Sequence, residues 1–137
     1  MLTTPEQPLV SIIMATYNRA TLLGRAIESV LRQTYTNIEL IIVNDGSTDD
    51  TESVLKSYND SRIKVVIHEF NRGATAAKNT GLKHIRGEWF TIYDCDDEMV
   101  PDAIDTLMNI PLKFDPEITA ITANGWDPIS NAFTGKG

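Results

Sequence analysis

The sequence predicts an α/β protein, a mostly parallel sheet with helices on both faces. Three features predict it. Strand-sized apolar runs alternate with segments of helical periodicity along the chain. The runs LVSIIMA (9–15) and IELIIV (38–43) have the character of strands covered on both sides. Polar clusters then follow the apolar runs, at the strand ends where open α/β sheets bind ligands.

Each element follows in order. Residues 9–15 form the first strand and end at Thr16-Tyr17-Asn18. Over 21–33, Leu23, Ala26, Ile27, Val30 and Leu31 recur at helical spacing, with Asn18 or Thr21 as N-cap. Residues 38–43 form the second strand, closed by Asn44-Asp45-Gly46-Ser47. Ser47 or Thr48 caps the next helix, whose first turn carries Asp49, Asp50 and Glu52, where the helix dipole favours acids. Residues 63–67 are the third strand, and the loop Asn71-Arg72-Gly73 leads to an alanine-rich helix over 74–85, ended by Gly87. A fourth strand, 89–93, runs into Asp94-Cys95-Asp96-Asp97. Pro101 suits the first turn of a short helix, and 118–123 reads as a fifth strand. No repeat or linker interrupts the pattern, so 1–137 is expected to be a single domain.

Composition narrows the function. A net charge of −7 argues against duplex nucleic acid or an anionic membrane as the main partner. An acidic protein that binds polyphosphate needs a cation or a few placed basic groups. Cys95 is the single cysteine, so no intrachain disulfide forms and a reducing compartment is expected. The N-terminal residues lack a signal-peptide pattern, and no apolar run has transmembrane length. The expected location is the cytoplasm, at the inner face of a membrane where a segment outside these residues anchors the protein.

The acidic cluster carries the most chemistry. In extended backbone Asp94 and Asp96 point to one side and Cys95 to the other. Two such carboxylates repel unless a cation lies between them. Mg²⁺ or Mn²⁺ suits them, completed by phosphate oxygens and water. The plainer reading is a solvated acidic turn before the helix near Pro101. An EF-hand is excluded because Met99 stands where that loop needs glycine. A phosphatase using strand-Asp-x-Asp expects a small β-branched residue where Glu98 stands.

The other strand ends add weaker signals. Asp45 before Gly46 can accept hydrogen bonds from a base or ribose, or form an Asx turn. Tyr17 can stack on a base or simply pack. Arg72 and Lys78 place two cations around a helix N-terminus, a setting that suits phosphate or a solvated helix start equally. His68 and His84 are isolated and read as structural or surface residues, and Cys95 as a packing residue. Neither a Walker loop nor a Rossmann Gly-x-Gly-x-x-Gly is present.

Taken together, Ala15-Thr16-Tyr17-Asn18-Arg19, Val43-Asn44-Asp45-Gly46-Ser47, Asn71-Arg72-Gly73 with Ala77-Lys78-Asn79-Thr80-Gly81, Gly87-Glu88, and Asp94-Cys95-Asp96-Asp97 with Pro101 resemble the family 2 glycosyltransferases. Order and spacing agree over nearly the whole chain. The resemblance implies the GT-A fold, a Rossmann-like nucleotide-diphospho-sugar transferase architecture. It implies a nucleotide-sugar-binding site in which Thr16 and Tyr17, with Asn18, line the base pocket and Asp45 binds the base, typically the imide of uracil. Asp94 would hold ribose or sugar hydroxyls and Asp96 a Mn²⁺ or Mg²⁺ ion bridging the diphosphate, with Asp94 and Asp97 supporting. Arg72 and Lys78 would meet the phosphates, although many members carry Arg where Lys78 stands, and Lys lacks the planar fork.

The implied reaction is sugar transfer with inversion, from a UDP-sugar to a saccharide or lipid-linked acceptor, in glycan or cell-surface polysaccharide synthesis. The family places its acceptor site and general base in a later segment. The base is therefore expected beyond Gly137, Asp127 being poorly placed, and the chain is expected to be part of a longer protein. The alternatives are a nucleotide-sugar-binding module without activity, and a phosphatase with Asp94 as nucleophile.

Overall fold

The computed structural model describes residues 7–109 and the backbone of 125–127 and 132–134. Two compact units are present, Met1–Asp105 and Thr106–Gly137. The first contains β1 (Val10–Thr16), α1 (Ala20–Leu31), β2 (Ile38–Asn44), α2 (Thr51–Lys56), β3 (Ile63–Ile67), α3 (Ala74–Leu82) and β4 (Trp89–Ile92), and α4 (Ala103–Met108) begins in it. The second contains β5 (Gly125–Asp127) and β6 (Ala132–Thr134), an antiparallel pair with Trp126 opposite Phe133. The fifth strand expected at 118–123 lies outside the described residues.

The four strands of the first unit stand in the order β3-β2-β1-β4, all parallel. Every residue of β2 and six of the seven in β1 are buried. Successive strand side chains point to opposite faces, so both faces of the central strands are covered. Ile41 and Val43 share one face with Ala15 and pack with Ala77 of α3. There α3 approaches so closely that a Cβ on Gly81 would lie 2.4 Å from Ile13 Cγ2. Leu23, Ala26, Ile27 and Val30 form the buried stripe of α1, which packs against α2.

The strand order explains the division of helices between faces. The chain steps outward from β1 to β2 to β3, then crosses back to β4 on the other side of β1. Right-handed crossovers in opposite directions put α1 and α2 on one face and α3 on the other. The strand order reverses between β1 and β4, and the crevice beyond the carboxyl ends at such a reversal is where these sheets bind ligands.

Three local expectations are corrected. Neither Asn18 nor Thr21 caps α1; Arg19 stands at that position without a side-chain cap. Instead the Ala20 N–H donates to Asp49 Oδ2 and the Arg19 N–H to Thr51 Oγ1, so the cap comes from the next loop. Second, α2 starts at Thr51 after Asp50, later than Ser47 or Thr48 would place it, and only Glu52 of the acids lies in its first turn. The Asp49 carboxylate takes the Thr51 N–H at 2.9 Å. Third, α3 stops at Leu82 rather than running to 85. The chain beyond it is drawn to the buried Glu39 carboxylate, which accepts from the Arg86 N–H at 2.7 Å and the Arg86 guanidinium at 2.9 Å.

Candidate functional site

Four loops leave the carboxyl ends of the sheet, and hydrogen bonds tie three of them together. After β1, Asn18 adopts a left-handed conformation (φ 49°). Its side-chain carbonyl accepts from the Thr48 N–H (2.8 Å) and Asp49 N–H (3.3 Å), and its own N–H donates to Ser47 Oγ (3.0 Å). Asn18 therefore clamps the first loop to the second. Tyr17 beside it is 42% exposed, an aromatic ring left open at the crevice. Among the described residues the buried Thr16 hydroxyl, at the last residue of β1, has no nitrogen or oxygen partner, the Cys95 thiol being its polar neighbour. Such a group is costly to leave unmet, by about 1–3 kcal/mol.

After β2, the side chain that closes the turn is that of Asn44 rather than Asp45: Asn44 Oδ1 accepts the N–H three residues on, at Ser47, at 3.1 Å. That frees Asp45 for a different role. Only 3% exposed, it receives three donors: His68 Nδ1 at 2.7 Å and the Arg72 N–H at 2.9 Å on Oδ1, and the Gly73 N–H at 2.9 Å on Oδ2. Burial alone would raise its pKa. The hydrogen bonds from His68, Arg72 and Gly73 overcome it and hold the carboxyl below its ordinary value. Gly46 makes this possible. At φ 70° it lies so close to the third loop that a Cβ would meet Phe70 C at 2.5 Å and Asn71 N at 2.6 Å.

His68 is the residue that sequence reading missed. Far from isolated, it is buried between Asp45 and Thr80, with Nε2 2.8 Å from Thr80 Oγ1. His84 is a local matter, its Nδ1 bonding the Thr80 carbonyl within the end of α3. The Arg72 side chain is exposed and Lys78 half-buried near the start of α3. Neither forms an ion pair among the described residues.

After β4, Asp94, Asp96 and Asp97 are exposed, and one carboxylate oxygen from each converges to within 4.8 Å of the others. The backbone is a turn rather than the extended chain assumed above: the Asp97 N–H donates to the Asp94 carbonyl at 3.2 Å. Turning the chain buries Cys95 as expected and lets all three carboxylates meet, which strand alternation would not allow. Burial, then the charges of Asp96 and Asp94, push the Asp97 carboxyl above its ordinary value. The Tyr93 phenol is likewise pushed up, by burial first and then by Asp97, Glu98 and Asp94. This concentration of negative charge and hard oxygen donors fits a divalent cation such as Mg²⁺ or Mn²⁺. It flanks the β1–β4 reversal, opposite the loop of Thr16 and Tyr17.

Comparison with known proteins gives the fold and the family. The fold is GT-A: residues 1–349 of S. aureus TarS, solved in complex with UDP-GlcNAc, match 72% of this chain and 29% of their own, with 28% identity and a TM-score of 0.68. The mannosyltransferase PcManGT from Pyrobaculum calidifontis, solved with GDP-Man and Mn²⁺, matches 77% of this chain and 32% of its own, with 32% identity and a TM-score of 0.67. The family model for glycosyl transferase family 2 matches residues 11–125, and the chain belongs to that family. An Escherichia coli relative, the UDP-Glc:alpha-D-GlcNAc-diphosphoundecaprenol beta-1,3-glucosyltransferase WfgD, is 39% identical over 77% of this chain. The chain spans 42% of that relative's length. Neither the phosphatase nor the inactive-module reading is favoured by these matches. Among the described residues no helix is long and apolar enough to cross a membrane.

Proposed function

We propose that this chain supplies the donor site of an inverting glycosyltransferase that uses a UDP-sugar and a divalent metal. The observation that carries the reading is the convergence of Asp94, Asp96 and Asp97 across the strand-order reversal from Thr16 and Tyr17. Tyr17 and Thr16 line the base pocket, with Asn18 shaping the loop, and Asp45 accepts the base N–H. Asp94 receives ribose or sugar hydroxyls. Asp96, supported by Asp94 and Asp97, holds Mn²⁺ or Mg²⁺, which when bound neutralises charge on the departing diphosphate. Arg72 and Lys78 add positive charge at the start of α3.

The acceptor is a saccharide or lipid-linked hydroxyl, and the setting glycan or cell-surface polysaccharide synthesis. Support for uridine comes from the TarS complex and the name of the E. coli relative, and support for metal from the Mn²⁺ in the PcManGT complex.

A thermal-shift series with UDP, GDP, CDP and ADP, each with Mn²⁺ or with EDTA, tests the reading. Near 100 Kd, UDP with Mn²⁺ should add about 2.7 kcal/mol of stability. Asp96→Asn should remove that gain while leaving the unliganded melting temperature in place, since Asp96 is exposed. Equal shifts in EDTA would remove the metal from the proposal.

A further inference from the structure

The end of α1 buries two polar side chains. Ser29 in the helix and Gln33 just past it are each only 4% exposed. A buried polar group is stable only when its hydrogen bonds are made, and here they are made to one segment. Ser29 Oγ accepts the Met99 N–H at 3.0 Å. Gln33 Nε2 donates to the Val100 carbonyl at 2.7 Å, and its Oε1 accepts the Ile104 N–H at 3.1 Å. The Thr34 N–H adds a bond to the Pro101 carbonyl at 2.8 Å. Arg25, one turn before Ser29, pairs with Glu98 at the surface. Residues 98–101 are neither helix nor strand, so their backbone has no ladder of its own and depends on this end of α1.

This segment is the direct continuation of the acidic loop. The loop is tied at its start, where the Tyr93 N–H donates to the Ile13 carbonyl at 2.8 Å and extends the pairing of β4 with β1. Between its ends the turn is closed by the 3.2 Å bond from the Asp97 N–H to the Asp94 carbonyl. Three like charges within 4.8 Å of one another favour opening that turn. Against this, Ser29 and Gln33 grip the chain at Met99 and Val100, two and three residues beyond Asp97.

We propose that Ser29 and Gln33 are positioning residues for the metal site, which anchor the chain beyond Asp97 and so keep the three carboxylates converged. This rests on the reading of Asp94, Asp96 and Asp97 as that site. Outer partners that fix the ligands of a metal are commonly worth about 10–100-fold in affinity. A loop already shaped for the ion need not be ordered when the ion binds. Cys95 supplies a reporter. It is the single cysteine and is buried within the loop, so a thiol reagent reaches it when the loop opens.

Two measurements on the folded chain test this: Mn²⁺ uptake, followed by loss of the free-ion EPR signal, and the rate at which dithiobisnitrobenzoate labels Cys95. Gln33→Leu fills the volume of the amide without its bonds, and Ser29→Ala removes only the hydroxyl. Each should weaken Mn²⁺ binding and speed labelling at least about tenfold. Glu39→Ala is the control: Glu39 is buried at the amino end of the sheet, away from the loop, and its loss should leave both readouts within about threefold of the parent. If Gln33→Leu does not fold, Ser29→Ala carries the test. Equal changes in all three variants would mark a role in stability alone and overturn the inference. Weaker Mn²⁺ binding with Cys95 labelling unchanged would overturn it too, since the loop would not have moved. Asp96→Asn separates the two levels. If it abolishes Mn²⁺ uptake while Gln33→Leu and Ser29→Ala stay within about threefold of the parent, the inference fails and the metal reading stands. If Asp96→Asn leaves the uptake intact, the metal reading fails and the role of Ser29 and Gln33 with it.

Discussion

Gly46→Ala is the sharpest probe of how the site is assembled. Two effects add. The residue sits at φ 70°, and a non-glycine residue there costs about 1–2 kcal/mol. The added Cβ would also meet three backbone atoms of the third loop, Phe70 C at 2.5 Å, Asn71 N at 2.6 Å and Phe70 Cα at 2.8 Å. Backbone cannot swing aside as a flexible side-chain end does, so the loop must retreat. Arg72 and Gly73 follow directly, and their N–H bonds to Asp45 stretch with it. Each hydrogen bond to a charged group is worth about 1.5–3 kcal/mol, and partial loss of two brings the total to about 3–5 kcal/mol. For a domain of this size the melting temperature should fall by roughly 10–20 °C. Urea denaturation followed by circular dichroism measures the stability, and titration with UDP and Mn²⁺ should show weakened binding in the folded fraction. Gly73→Ala is the control: its φ is 97°, but nothing lies within 4 Å of the added Cβ, so its loss should be only the backbone part. A Gly46→Ala protein within about 0.5 kcal/mol of the parent would refute the claim that the two loops interlock through this glycine.

Gly24→Ala should have the opposite sign: Gly24 lies within α1, its Cβ would stand an ordinary 3.6 Å from Tyr58 Oη, and the gain in helix propensity is about 0.5–1 kcal/mol by urea denaturation. Glu39→Ala should destabilise by about 2–3 kcal/mol, because it strips the buried Ser11 hydroxyl and Arg86 N–H of their acceptor, whereas the Arg86 guanidinium is 77% exposed and loses little. Acid should unfold the chain through the same groups. Asp45 and Glu39 both titrate below their ordinary values, each because hydrogen bonds outweigh burial. Their contribution is complete at neutral pH and is lost as pH falls below about 4 and through the lower folded values, so urea midpoints should drop across that window. Asp97 has the opposite sign: burial, then the charges of Asp96 and Asp94, raise its pKa, so its ionised form is disfavoured in the fold, and a bound cation should offset that repulsion.

The strands were legible because their signal is local. The apolar runs of β1 and β2 needed only their own residues to declare burial on both faces; the structure closes each ladder on one further polar residue, Thr16 or Asn44, and starts β1 one residue later than expected, at Val10. The helix starts were less legible because their caps are exchanged between loops. Asp49 and Thr51, the residues that satisfy the Ala20 and Arg19 N–H groups, lie some 30 positions further on. A reading that assigns α1 a cap from its own flank misplaces it for that reason, whereas α2 starts late because Asp49, two residues before Thr51, takes the Thr51 N–H. The alanine-rich stretch after Ala74 has the propensity to continue as helix, but the charge on Glu39 draws Arg86 away and ends it early. The β5–β6 pair, three residues in each strand, is too short to leave a periodic pattern.

The site follows the same division. Asp94, Asp96 and Asp97 are close in sequence, and their proximity was visible, though strand alternation suggested the wrong backbone; three like charges that must converge need the turn that the Asp97 N–H closes. Asp45 and His68 are 23 residues apart, and nothing local joins them. A signal did exist. In a parallel pair the residues that follow two aligned strand ends stand side by side, and here Asn44 pairs with Ile67, so Asp45 and His68 are the next step of the same ladder. Two titratable residues, each immediately after the last position of neighbouring parallel strands, have no room to avoid each other. They bond or they repel. A carboxylate and an imidazole bond, and the pair then places a buried acceptor of limited capacity at the carboxyl edge of the sheet. The register of β2 against β3 thus decides this pairing: a one-residue slip would separate Asp45 from His68 and turn the slipped strand's residue to the opposite face.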